Sequence, residues 1–295
     1  MNDSNAAAIA PYKDGYVTVG DGLKLHYRDY PGSSDRPPLL CLHGLTRNAR
    51  DFEHFAERHS PQFRVIVLEF RGRGLSDPDP LPMRYNPMTY AGDVLQLLDF
   101  LGLPQAIFVG TSLGGLVTMA VAGIAPERIE AAILNDIGPD LGQTGLDRIQ
   151  KYLGNDVRFS TWEEAAAAIA VNQGPSFPNY ASEDWLKMAR RNCRERDGEI
   201  VFDYDKAIAE PFRTGGPLPK FDMWPLFETL AQKPLLVVRG ELSQLLTAPA
   251  FDKMKQAAPG AKFVVVRQTG HAPELNEPEA VAAIDRFLEG LKQAG

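Results

Sequence analysis

Hydrophobic and polar positions change their rhythm twice along this chain. From residue 39 onward, short unbroken apolar runs alternate with stretches whose apolar residues recur every three or four positions. Leu39-Leu40-Cys41-Leu42, Val65-Ile66-Val67-Leu68 and Ala106-Ile107-Phe108-Val109 are continuous runs. A strand reads that way when both of its faces are covered, as in a parallel sheet. Between these runs, residues 51–59 and 90–101 read as helices, the second with Val94, Leu97, Leu98 and Leu101 on one face. Residues 116–125 predict another helix and 129–134 another strand. Ahead of the alternation, apolar stretches at 16–19 and 23–28 flank Gly20-Asp21-Gly22. That spacing is a hairpin signal and predicts an antiparallel pair at a sheet edge.

The rhythm breaks after Pro139. Residues 141–230 carry helical spacings, with alanine-rich 162–171 and a second stretch at 183–194. Loops holding Gly174-Pro175, Phe177-Pro178 and Gly215-Gly216-Pro217 interrupt them. The alternation then resumes as a strand at 234–239, a helix at 248–257, a strand at 262–266 and a helix at 279–291. The pattern predicts an α/β fold: a mostly parallel central sheet of about eight strands flanked by helices, with an inserted helical cap over it. Residues 1–138 form the first part of the core, 139–230 the insertion and 231–295 the second part.

Composition narrows the function. The chain has 295 residues, 44% hydrophobic and 23% charged, which suits one large domain with an insertion. A net charge of −7 without blocks of like charge argues against nucleic acid or an anionic membrane as partner. The expected partner is a small-molecule substrate, and the expected assembly a monomer or homodimer. Of the two cysteines, Cys41 lies in an apolar strand, so a reducing, cytoplasmic setting is the simpler inference. Met1 to Asn5 lack a basic start and Ala6 to Ala10 are too short for a signal core. No apolar run reaches the length of a membrane span.

The chemistry concentrates at Gly110-Thr111-Ser112-Leu113-Gly114, between an apolar strand and a helix. A serine pinned at so sharp a turn needs small neighbours two residues away on each side. The pattern alone arises by chance in roughly one chain in ten of this length, so a glycine-rich turn with an inert serine is the competing reading. A serine hydroxyl needs an adjacent base. Five histidines are available. His26 lies in an early strand, and His54 and His59 on a helix where solvation is the simplest expectation. His43 sits in the turn after a strand. His271, in Thr269-Gly270-His271-Ala272-Pro273, follows the last strand directly, where open α/β sheets place their sites.

With His43-Gly44, Arg71-Gly72-x-Gly74-x-Ser76, Gly110-x-Ser112-x-Gly114 and Gly270-His271 in hand, the chain resembles the capped serine hydrolases and esterases of the α/β-hydrolase superfamily, over nearly its whole length. The resemblance implies Ser112 as nucleophile, His271 as base, and an oxyanion hole from the N–H groups of Leu113 and Leu45. It implies a carboxylic ester or lactone as substrate, with amide or carbon–carbon bond hydrolysis, or a non-catalytic receptor, as alternatives. The acid is open. A common family position, the loop Gly240-Glu241-Leu242-Ser243-Gln244, carries Gln244, an amide that cannot stabilise an imidazolium by charge. Asp136, after the strand that follows the nucleophile helix, is the preferred candidate, and Glu241 a third. His43, Gly44, Arg47 and Trp162 are candidate substrate contacts. Arg71 and Arg73 read either as an anion site or as a turn tied to carbonyls or Glu69. Arg190, Arg191 and Arg194 read as a solvated helix face. No metal-ligand spacing or nucleotide-binding motif is present, and neither metal nor cofactor is expected.

Overall fold

The computed structural model describes residues 11–33, 35–214 and 222–291. The expected leader-free start at 1–10 and the Gly215-Gly216-Pro217 loop lie outside the described residues. The first part of the core contributes β1 (Lys13–Thr18), β2 (Lys24–Tyr30), β3 (Leu39–Leu42), α1 (Glu53–His59), β4 (Val65–Leu68), α2 (Pro87–Phe100), β5 (Ala106–Thr111), α3 (Leu113–Ile124) and β6 (Ile129–Asn135). There follow α4 (Gln143–Tyr152), β7 (Arg158–Phe159), α5 (Trp162–Gln173), α6 (Ser182–Asn192), β8 (Cys193–Arg196), β9 (Glu199–Phe202), α7 (Glu210–Thr214) and α8 (Trp224–Leu230). The chain closes with β10 (Leu235–Gly240), α9 (Ala248–Ala257), β11 (Lys262–Val266) and α10 (Pro278–Gly290).

The central sheet has eight strands in the order β1-β2-β4-β3-β5-β6-β10-β11. β1 and β2 are antiparallel at one edge, and the strands from β4 to β11 run parallel. Successive side chains in the unbroken runs point to opposite faces. Leu40 and Leu42 therefore pack with Ile66, Leu68 and Phe108 against α2 and α3, in a core that includes Tyr90, Val94 and Val117. Leu39 and Cys41 pack with Val65, Val67 and Val109 against α1 and α10, through Phe55, Ile284 and Phe287. That double burial is the physical reason the runs are apolar at every position.

The segment between β6 and β10 is not purely helical. β7, β9 and β8 form a small antiparallel sheet, and the helix expected at 183–194 ends at Asn192. The signal for this hairpin is Asp197-Gly198, both at positive φ (54° and 78°), the backbone a tight two-residue connection requires. The segment has its own apolar cluster, including Phe159, Ile169, Phe177, Met188 and Ile200. Among the described residues no helix is long and apolar enough to cross a membrane.

Candidate active site

Parallel strands bring their following loops to one end of the sheet. The turns after β3, β5, β6, β10 and β11 all meet there. Ser112 joins β5 to α3 with φ 52° and ψ −114°. The glycines around it are sterically required. A Cβ on Gly110 would lie 2.6 Å from the Gly114 backbone, and one on Gly114 would collide with the Leu42 carbonyl. The turn is thus closed against both its own helix and the neighbouring strand.

Three side chains from separate loops form one hydrogen-bonded line. The Ser112 Oγ is 2.8 Å from His271 Nε2, and His271 Nδ1 is 2.8 Å from Asp136 Oδ2. Asp136 is fully buried and also sits at positive φ, 55°. Its Oδ1 accepts the Gly240 N–H at 2.8 Å, and its Oδ2 accepts the Ser243 hydroxyl at 2.6 Å. The Ser243 hydroxyl oxygen in turn accepts the N–H groups of Leu245 and Leu246. The loop after β10 therefore supplies donors to a carboxylate that comes from β6. Gln244 in that loop is exposed, and Glu241 accepts the Gln268 N–H instead. Asn135 ties the arrangement together, donating to Thr111 Oγ1 at 3.1 Å and to the Pro273 carbonyl at 2.8 Å. The loop of His271 is fixed from above, where the Gly270 N–H meets the Ser176 carbonyl at 2.6 Å.

Leu113 opens α3, so its N–H is among those a helix leaves unpaired. Leu45 lies in the turn after β3 and lines the cavity above Ser112. The Leu45 carbonyl accepts a hydrogen bond from Arg73 Nε at 3.0 Å. Arg73 also donates to the Arg71 carbonyl and the Tyr90 hydroxyl, so it holds the turn in place. Arg71 is clamped by Asp93, Asp79 and Asp21. Neither arginine pairs with Glu69, whose carboxylate accepts the N–H groups of Ala49 and Leu75 and contacts His26. Both arginines are engaged within the protein, Arg71 by carboxylates and Arg73 by two carbonyls and a phenol, with only Arg73 Nη2 left without a partner.

The candidate substrate contacts divide. Gly44 and Arg47 line a cavity of about 170 Å³ over Ser112 and His271. His43 does not. It is fully buried, donates from Nδ1 to the Gly44 carbonyl at 2.7 Å and accepts the Phe70 N–H at Nε2. Burial pushes its pKa down to about 4, so it is a neutral brace for the turn. Trp162 also stands outside the cavity. It packs on the small cluster of the inserted segment beneath the Arg190 guanidinium, 4.8 Å away.

Two further expectations are corrected. His59 is buried against Phe55, which pushes its pKa down to about 4. Arg191 does not face open solvent: it lines the cavity and pairs with Glu274. Arg194 pairs with Asp203. Sequence reasoning did not single out Ser243, Tyr152 or Glu274. Only Ser243 had a signal, one residue before the position searched for an acid. Among the described residues no cluster of His, Cys, Asp and Glu has the arrangement of a metal site.

Known proteins resemble this chain over its length. A family model described as "Alpha/beta hydrolase family" matches residues 39–284. The 3-hydroxybutyrate-oligomer hydrolase of Cupriavidus necator is 31% identical over 287 residues, covering 94% of this chain and 97% of that one. The 2-(acetamidomethylene)succinate hydrolase of Mesorhizobium japonicum is 29% identical, covering 86% and 88%. The crystal structure of an alpha/beta hydrolase from Novosphingobium aromaticivorans superposes with a TM-score of 0.91 at 49% identity, covering 95% and 99%.

Proposed function

The chain belongs to the Alpha/beta hydrolase family, and on that premise we propose that it hydrolyses a carboxylic ester of a small soluble substrate through an acyl-enzyme on Ser112. One observation carries the reading: Ser112 Oγ, His271 and Asp136 in a single line, each contact 2.8 Å. In this scheme Ser112 Oγ attacks the ester carbonyl while His271 Nε2 takes its proton. Asp136 holds the imidazole through Nδ1–H and balances the charge it acquires. The tetrahedral oxyanion is received by the N–H groups of Leu45 and Leu113, helped by the positive end of α3. The intermediate collapses as His271 passes the proton to the departing alkoxide. Water, deprotonated by the same imidazole, then releases the acid and restores Ser112.

The relative named for 3-hydroxybutyrate oligomers, at 31% identity, supports an ester among the possible bonds. A second reading, cleavage of an amide by the same residues, is favoured by the relative named for 2-(acetamidomethylene)succinate. A panel of short p-nitrophenyl esters, with fluorophosphonate labelling and Ser112→Ala as control, tests the proposal. Ester turnover and a single label, both abolished in Ser112→Ala, are expected. Turnover that survives in Ser112→Ala would reject the serine mechanism.

A further inference from the structure

The cavity above Ser112 has two kinds of lining. Ile149, Val157, Phe159, Ile169 and Met188 are apolar. Arg47, Tyr152, Gln173 and Arg191 face the same space, three of them one helical turn from Ile149, Ile169 and Met188. A short hydrocarbon stretch needs the first set. Nothing in the ester chemistry itself needs the second.

The arginines are held differently. Arg191 is paired with Glu274, which also lines the cavity. Arg47 is steadied by Asp51 through Nε alone, at 2.7 Å. Its two terminal nitrogens bond no other described group. The stem of Arg47 runs close beside the Gly44 turn: a Cβ on Gly44 would lie 3.3 Å from Arg47 Cγ and 3.8 Å from Ser112 Cβ. The stem of Arg47 is therefore set beside the turn that faces Ser112, and the outer edge of its guanidinium is unclaimed by the described groups. Tyr152 is half-buried, and its phenol meets the Gln173 side chain and feels the positive charge of Arg47 and Arg148. Arg148 donates to the neutral Ser176 hydroxyl at 2.6 Å and has no carboxylate partner among the described residues. Of the guanidinium groups here, Arg47 and Arg191 line the cavity together with Asp51 and Glu274, and Arg148 acts on Tyr152 from behind. A guanidinium edge left without a partner in a partly desolvated cavity favours an anion that can meet it.

We propose that the substrate is an ester whose acyl part carries a free carboxylate a few carbons from the scissile carbonyl, and that Arg47 receives this carboxylate, with the Tyr152 hydroxyl beside it. This rests on the hydrolase reading above and names its substrate class. The planar guanidinium can present two parallel N–H donors to a carboxylate while Nε stays on Asp51. The cavity volume, about 170 Å³, suits a short acid with no bulky branch.

Monoethyl succinate and ethyl butyrate form a matched pair, the same ester with a carboxylate or a methyl group at the far end. The whole chain should hydrolyse the acid ester with a kcat/KM about 100-fold above the neutral one. Arg47→Gln should bring that ratio to within a few-fold of unity, mostly through KM, and Arg47→Lys should restore part of it. Equal rates in the unmodified enzyme, or a ratio untouched by Arg47→Gln, would overturn the proposal. Titration of Ser112→Ala with both esters gives a readout free of turnover. Tighter binding of monoethyl succinate, lost in the Ser112→Ala/Arg47→Gln double variant, supports the carboxylate site even where neither ester is cleaved. In that case only the hydrolase reading fails. Equal binding of the two esters overturns the carboxylate site and leaves the hydrolase reading standing on its own assay.

Discussion

The floor and the roof of the cavity are built by different means. In the floor, the backbone decides. Gly110 and Thr111 of β5 pair with Leu134 and Asn135 of β6, and Leu42 of β3 pairs with Gly110. The sheet register therefore fixes where Ser112 and Asp136 emerge, and two positive-φ turns aim them. In the roof, side chains decide. Tyr152 ends α4, whose Leu146 and Ile149 pack on the main core, and Arg191 lies near the end of α6, which rests on the small separate cluster; both line the cavity. The roof is moored by polar contacts: Asn48 and Arg50 donate to the Arg191 carbonyl, and Arg50 pairs with Asp203. A floor set by strand pairing tolerates little change in what it presents. A roof of exchangeable side chains can alter what is bound without disturbing the chemistry beneath.

Substitutions in the floor should act on kcat, and steeply. Asp136→Asn keeps the shape but removes the charge that, in the proposed mechanism, supports the imidazolium. Steady-state kinetics should show a fall of about 10³- to 10⁴-fold in kcat. A loss under tenfold would mean that another group supports His271. Ser243→Ala removes one of the donors to Asp136. It should lower kcat about tenfold and leave KM within a few-fold, because the carboxylate is then held less firmly against His271. An unchanged kcat would reduce Ser243 to a packing role.

Acid sharpens the contrast by a separate route. All five histidines belong to the two core segments, none to residues 139–230. His43 and His59 are held neutral by burial, with pKa values down to about 4. The unfolded chain takes up those protons near 6.5, before the folded one does. Stability is therefore greatest above that pH and falls as pH drops toward about 4, by about 2–3 kcal/mol for each histidine. His26 works the other way. Burial lowers its pKa, but Glu69 and Asp14 outweigh burial and raise it. Its contribution is present at low pH and fades as pH rises, which blunts the net slope. Urea melts at pH 7 and pH 4.5 should show a lower midpoint in acid, and His59→Leu should flatten the difference.

The smallest effect belongs to the roof. Ile149→Ala trims the apolar lining of the cavity. It should raise KM for a short ester about threefold while kcat stays within twofold. A large fall in kcat there would erase the distinction between floor and roof.

The strand runs and the elbow around Ser112 were readable because their causes are local. Unbroken apolar sequence follows from burial on both faces, and Gly110 and Gly114 follow from atoms within a few residues or on the adjoining strand. His271 was readable because a loop after the last strand must arrive at the same sheet end. The hairpin at Asp197-Gly198 was legible too, yet helical spacing on both sides of it masked a two-residue signal. Which carboxylate meets His271 was not local. Asp136 and the Gln244 loop both emerge at the correct edge, and only the pairing of β6 with β10 lets Gly240 and Ser243 converge on Asp136. The burial of His59, the bracing role of His43 and the charge around Arg47 were likewise out of reach. Each depends on groups brought close in space from distant parts of the chain, and electrostatics and desolvation act through space, whatever the separation along the sequence.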